Sequence, residues 1–64
     1  MNFKEAVSKG SKILKDKFIP NSQLDSEVLL AKTINKDRNY ILLNLKKNIN
    51  KQELFYFQTL IKKR

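Results

Sequence analysis

The residue types that carry most enzyme chemistry are scarce in this sequence. Neither cysteine nor histidine occurs, which excludes disulfides, Cys/His zinc sites and nucleophilic chemistry by either side chain. A cofactor-binding loop normally requires a glycine-rich turn after a strand, but the sequence has a single glycine, Gly10, and no strand-like alternation of apolar and polar residues. We therefore predict no catalytic, cofactor-binding or metal-binding residue here, and we expect that the chain alone is not an enzyme.

The acidic residues are scattered, and most of them stand where a helix cap or a first helical turn would use a carboxylate. They are Glu5, Asp16, Asp25, Glu27, Asp37 and Glu53. Glu27 differs because it falls within an apolar stripe, where an unpaired carboxylate costs several kcal/mol. We expect it to pair with Arg38 or with nearby unpaired backbone amides, in a structural rather than a catalytic role.

The positive charge is the feature that most directly suggests a binding partner. The formal net charge is +8 at pH 7 and the pI is about 10.0. One interpretation is a solvated surface, and the other is a free-standing basic module that binds nucleic acid or the ribosome. A helix-turn-helix would use residues 27–34 and a reading helix at 38–44, which is short and apolar for a major-groove reader. Partner contacts are predicted around this segment, at Lys36, Arg38, Lys46 and Lys47.

The elements that would position these residues begin with a helix after Asn2, which forms a capping box with Glu5. The residues expected to face inward are Phe3, Ala6, Val7, Ile13, Leu14 and Phe18. Gly10 lies in this stripe and costs about 1 kcal/mol in helix propensity, so we expect it to let another helix approach closely. Ile19-Pro20 is expected to end the helix, since the residue before proline is disfavoured in the α conformation.

The second helix is the most apolar part of the chain, and Asn21 or Ser22 is its expected N-cap. One face is predicted to bear Leu24, Val28, Ala31 and Ile34, with Leu30 at its edge. Leu29 lies nearly opposite and is expected near the surface. Because apolar residues surround more than half of its circumference, we place this helix at the centre of the domain.

Two further helices are predicted after a turn at Asn35, a residue that tolerates the left-handed conformation of a helix C-cap. Asp37 is the expected N-cap of a short helix that ends near Asn44. Asn50 caps the last helix in a second capping box, and Ile49 is expected to meet Leu54 as a hydrophobic staple. The last helix is predicted to turn Leu54, Phe57, Leu60 and Ile61 inward. Phe55 lies well off that stripe and is expected near the surface.

These 64 residues make one domain, which would bury roughly 60% of the surface of its unfolded chain. The predicted fold is all-α, a small compact bundle of four short helices, or of five if one helix is split. No apolar run approaches the roughly 18 residues of a membrane span, and charged residues interrupt the N-terminus, unlike a signal peptide. We expect no membrane contact and a cytoplasmic location.

The central block resembles the N-terminal domain of the HemK-type (PrmC) glutamine methyltransferases that modify peptide-chain release factors. The matching residues are Leu24, Asp25, Glu27, Val28, Leu29, Leu30, Ala31, Asn35, Lys36, Asp37, Arg38, Tyr40, Leu42 and Leu43, preceded by Ile19-Pro20-Asn21. The flanking helices extend the resemblance over nearly the whole chain. Ser22 stands where that family often has proline, and Asn35 where it has glycine.

The resemblance implies that residues 1–64 are the N-terminal helical domain of a larger methyltransferase. In that family this domain helps hold the release factor, while a following domain binds S-adenosylmethionine and methylates the glutamine of a Gly-Gly-Gln loop. The expected partners are therefore a release factor and the protein's own catalytic domain. Leu29 and Phe55, if exposed, are the apolar residues expected to face one of them.

Overall fold

The computed structural model describes residues 1–64 and contains four helices: α1 (Phe3–Asp16), α2 (Ser22–Ile34), α3 (Arg38–Leu43) and α4 (Lys51–Lys63). No strand is present apart from an isolated bridge between Asn2 and Asn48. The second helix packs against each of the other three, within a bundle of 28 × 21 × 18 Å. The predicted all-α bundle and the central position of α2 are confirmed, and none of the four helices is split. None has the length and apolar content needed to cross a membrane.

Local capping explains where three of the helices begin. The side chains of Asn2, Asp37 and Asn50 accept hydrogen bonds from backbone N–H groups three residues later, at 2.8, 2.8 and 2.7 Å. At Asn2 and Asn50 the glutamate of a capping box completes the motif, as predicted. The first N–H groups of α1 also find acceptors, because Phe3 N donates to Lys47 O and Lys4 N to Leu45 O. The loop before α4 is thereby fixed to the start of the chain.

The core contains ten buried apolar residues from all four helices and the last loop: Phe3, Ala6, Val7, Leu14, Leu30, Ala31, Ile41, Ile49, Phe57 and Ile61. Gly10 lies where α1, α2 and α4 meet. A Cβ atom at this position would lie 2.5 Å from Ser26 Oγ and 2.8 Å from Phe57 Cζ. The predicted role of Gly10 in close helix approach is confirmed.

The first helix ends earlier than predicted, and part of its predicted inward stripe is exposed. Its last helical residue is Asp16, and the backbone of Phe18 is left-handed, with φ 63°. Phe18 N donates to Lys15 O and Ile19 N donates to Leu14 O, the bond pattern of a Schellman motif. This turn lets Ile19 pack against the core, whereas Ile13 is 40% and Phe18 93% exposed. Placing both in the core was therefore wrong.

The buried face of α2 is rotated relative to the predicted stripe. The residues that α2 buries are Ser26, Glu27, Leu30 and Ala31, whereas Leu24 and Val28 are exposed. Placing Leu24 and Val28 inward was wrong, because the packed face includes Ser26, which donates to Val7 O, beside the predicted Glu27. Leu29, expected near the surface, is partly buried against the core. Asn21 is the N-cap of α2 but has a left-handed backbone, with φ 57°, and makes no capping hydrogen bond with its side chain.

Candidate partner-binding surface

Glu27 and Arg38 form an ion pair that joins α2 to α3. Arg38 Nε lies 2.7 Å from Glu27 Oε1, and Gln23 Nε2 donates to the other carboxylate oxygen at 3.1 Å. Glu27 is 6% exposed, so the pairing satisfies a carboxylate that would otherwise be costly to bury. The predicted pair is confirmed. Because 47% of the Arg38 side chain remains exposed, this residue holds the helices together and also reaches the surface.

Tyr40 is the centre of a second cluster, which lies between two of the predicted contact lysines. The Nζ atoms of Lys36 and Lys47 lie 5.4 and 5.3 Å from the centroid of the Tyr40 ring, within the range of a cation–π interaction. Lys47 Nζ also donates a 2.6 Å hydrogen bond to the Tyr40 hydroxyl oxygen. This hydrogen bond, followed by charge attraction to Tyr40, raises the pKa of Lys47 above its ordinary value, and Glu53 adds a smaller effect. An ordinary lysine is already a cation at neutral pH, so this shift does not alter the charge that Lys47 brings to the surface.

The same side chains line a shallow cleft of about 180 Å³ together with Phe3, Ile34, Asn48 and Glu53. The structure thus brings Lys36 and Lys47 together on one surface, while Arg38 points toward Glu27. Lys46 is exposed next to Lys47 in the chain. The sequence analysis did not single out Tyr40 as a site residue. Helical spacing could not have linked Tyr40 to Lys36, because Lys36 lies in the connection between α2 and α3, before the Asp37 N-cap.

The two predicted apolar contacts differ in exposure. Phe55 is 73% exposed on α4, as its position off the inward stripe predicted, whereas Leu29 is only partly exposed. Phe55 therefore suits contact with another protein better than Leu29 does. Other large apolar side chains are also exposed, and they were not predicted as contacts: Phe18 at 93%, Leu43 at 83% and Tyr56 at 53%.

The fold and these surfaces define the class of protein, a small all-α module with a basic cleft and exposed aromatic side chains. The chain belongs to the PrmC N-terminal domain family, whose model matches residues 5–64. It is also 36% identical over 63 residues to a protein from Rickettsia felis (strain ATCC VR-1525 / URRWXCal2) described as a bifunctional methyltransferase. That alignment covers 98% of this chain and 12% of the relative's length. No solved structure matches the chain.

Proposed function

We propose that residues 1–64 are the N-terminal module of an S-adenosylmethionine-dependent methyltransferase that modifies the glutamine of a release factor's Gly-Gly-Gln loop. The observation that carries this proposal is the family match over residues 5–64, which the similarity to a methyltransferase supports. In this proposal the module helps hold the release factor, and the cofactor and the reaction belong to the catalytic domain. The parent enzyme would act in the cytoplasm, where release factors work.

The basic cleft is the surface we assign to the release factor. Lys36 and Lys47 are held around one aromatic ring, so their charges act from a defined place. Arg38 and Lys46 add positive charge nearby in the chain. Two lysines against one acidic lining residue, Glu53, give the cleft a net positive charge, and net charge at an interface accelerates association with partners of the opposite sign. An acidic surface on the release factor is therefore the expected counterpart, with Phe55 as an accessible apolar contact.

Binding to nucleic acid or the ribosome is the second candidate, supported by the same lysines and the net charge of +8. The helix-turn-helix version of this idea is disfavoured by α3 itself. Its Ile41 is fully buried, and Arg38, the basic residue of its reading segment, is paired with Glu27. Nucleic acid would then be bound through phosphates without sequence readout.

The test uses the parent enzyme carrying the double substitution Lys36→Glu and Lys47→Glu. We expect the KM for the release factor to rise about tenfold with little change in kcat, because only binding is affected. The matched control is Lys9→Glu and Lys12→Glu, the same charge change on the exposed face of α1. An unchanged KM in the cleft variant would contradict the assignment of this surface.

A second measurement separates the two candidates. Binding of the parent to an unstructured RNA is measured over a range of salt concentrations with the same two variants. If the cleft variant loses RNA affinity while methylation of the release factor is unaffected, the nucleic-acid interpretation is the correct one. If the parent transfers no methyl group to a release factor, the proposed function itself is wrong.

A further inference from the structure

Phe18 combines two unfavourable features that the bundle does not explain. Its side chain is 93% exposed, more than that of any other large apolar residue in the chain. Its backbone is in the left-handed region, with φ 63°, where a residue with a Cβ atom is strained. Neither feature is needed to cover the core, because Ile19 packs there instead. A large apolar side chain is thus held in solvent at a cost to the isolated chain.

The end of the last helix is held by the residue that precedes Phe18 in the chain. Lys17, the neighbour of Phe18, donates from Nζ to Lys62 O at 2.9 Å and so holds the C-terminal end of α4. Arg64 in turn reaches the start of α2, where its Nη2 lies 2.9 Å from Asp25 Oδ2. Both contacts bring the last residues of the chain to the end of the bundle where α1 stops and α2 begins.

Leu24, which precedes Asp25, is exposed at this same end of the bundle, at 42%. Phe18 and Leu24 are therefore the neighbours of the two residues that hold the chain terminus. We define them together as the terminal apolar surface. Three or four residues of extended chain beyond Arg64 would span up to about 12 Å. Because Lys17 and Asp25 both contact the last residues of the chain through their side chains, a segment of that length leads from Arg64 toward their neighbours Phe18 and Leu24.

We infer that the terminal apolar surface is covered by the polypeptide that follows Arg64 in the parent protein, with Phe18 as the anchoring side chain. This inference rests on the proposed function in one respect, that the chain is the front module of a longer protein. It adds a specific occupant and a residue that none of the predicted contacts includes. Burial of a Phe side chain would compensate for the backbone strain that the isolated chain carries.

The experiment measures the Phe18→Gly variant in two contexts. In the 64-residue chain, glycine relieves the strain and removes no buried contact, so the melting temperature is expected to rise by about 4 °C. In the parent, the same change removes the anchor, and amide hydrogen exchange of residues 17–25 is expected to become at least about tenfold faster. Leu43→Gln is the control, at an apolar position on α3 that is 83% exposed, and should change neither quantity.

Phe18→Gly is expected to stabilise the 64-residue chain and to loosen residues 17–25 in the parent. A purely local role for Phe18 would not produce these opposite effects. Equal stabilisation of both proteins by Phe18→Gly would overturn the inference. Light scattering that shows a dimer of the 64-residue chain, lost on Phe18→Gly, would also overturn it, because a second copy of the chain would then cover the terminal apolar surface. Weaker release factor binding with unchanged exchange of residues 17–25 would assign the surface to that partner and also overturn it. None of these measurements requires methyltransferase activity, so failure of the proposed function remains distinguishable.

Discussion

The two helices that flank α2 in the chain are joined to it in different ways. The contact with α1 depends on shape: Gly10 lets the helices approach, and Ser26 Oγ donates to Val7 O at 2.8 Å. The contact with α3 depends on charge, through the pair formed by Glu27 and Arg38. Ser26 and Glu27 are neighbours in the sequence, so adjacent residues of one helix serve two kinds of packing.

The turns that lead into and out of α2 differ as well, although each contains a Schellman motif. After α2, Lys36 N donates to Ala31 O, and Asn35 occupies the left-handed position. After α1, that position is taken by Phe18. Asn is well suited to this conformation and Phe is not. The comparison indicates that the α2–α3 connection is locally relaxed, whereas the α1–α2 connection is held by its surroundings.

The largest expected effect is at the shape-dependent contact. Gly10→Val would place side-chain atoms where Ser26 Oγ and Phe57 Cζ already lie within 3 Å of a Cβ position. We expect unfolding free energy to fall by about 3 kcal/mol, at the upper end of overpacking effects. Thermal unfolding followed by circular dichroism measures this. Lys9→Val, the same residue type at an exposed helical neighbour, is the control, and equal melting temperatures for the two variants would contradict the steric argument.

The next largest loss of stability is expected from breaking the ion pair between Glu27 and Arg38. Arg38→Ala leaves Glu27 buried with Gln23 as its remaining hydrogen-bond donor. We expect the free energy of unfolding to fall by about 2 kcal/mol. This loss is smaller than for a fully buried pair because Arg38 is half exposed. Urea unfolding measures it. In the Glu27→Gln background the same substitution should cost much less, because no buried charge is left unpaired. An equal loss in both backgrounds would show that Arg38 acts through packing alone.

At the turn after α1, where Phe18 is left-handed, we expect a smaller change in the free energy of unfolding, and this change is stabilising. Phe18→Gly in the 64-residue chain should increase the free energy of unfolding by about 1 kcal/mol, the strain relieved less the extra flexibility of glycine in the unfolded chain. Denaturant titration with an unchanged slope would establish that the native state has gained stability. A decrease would mean that the exposed ring already makes stabilising contacts within these residues.

The smallest effect is expected at the relaxed turn. Asn35→Gly should change the free energy of unfolding by less than about 0.5 kcal/mol, because Asn already adopts the left-handed conformation at little cost. Comparing this variant with Phe18→Gly shows how much the residue type at the left-handed position of a Schellman motif contributes to stability. If both substitutions stabilise equally, the strain assigned to Phe18 is no greater than that of Asn35.

Much of the candidate site could be predicted from the sequence, and the features that could not be predicted share one physical cause. The pairing of Glu27 with Arg38 was predicted because a carboxylate in an apolar stripe demands a partner. The placement of Lys47 on the Tyr40 ring was not, since a loop brings together residues seven positions apart. The exposure of Phe55 followed from its helical angle. The exposure of Phe18 did not, because the helix ends before the stripe does.

What the sequence by itself determined is the set of features that involve residues three or four apart: the capping boxes at Asn2 and Asn50, the Asp37 cap and the left-handed Asn35. These depend on local hydrogen bonds and backbone preferences. Only the tertiary structure decided that α2 buries Ser26 while Leu24 and Val28 stay exposed, because Ser26 becomes a favourable interior residue once Val7 O accepts its hydrogen bond. The spacing of apolar residues indicates only which side chains leave water favourably. It carries no information about a hydrogen-bond acceptor, such as Val7 O, that another helix supplies to a buried polar side chain.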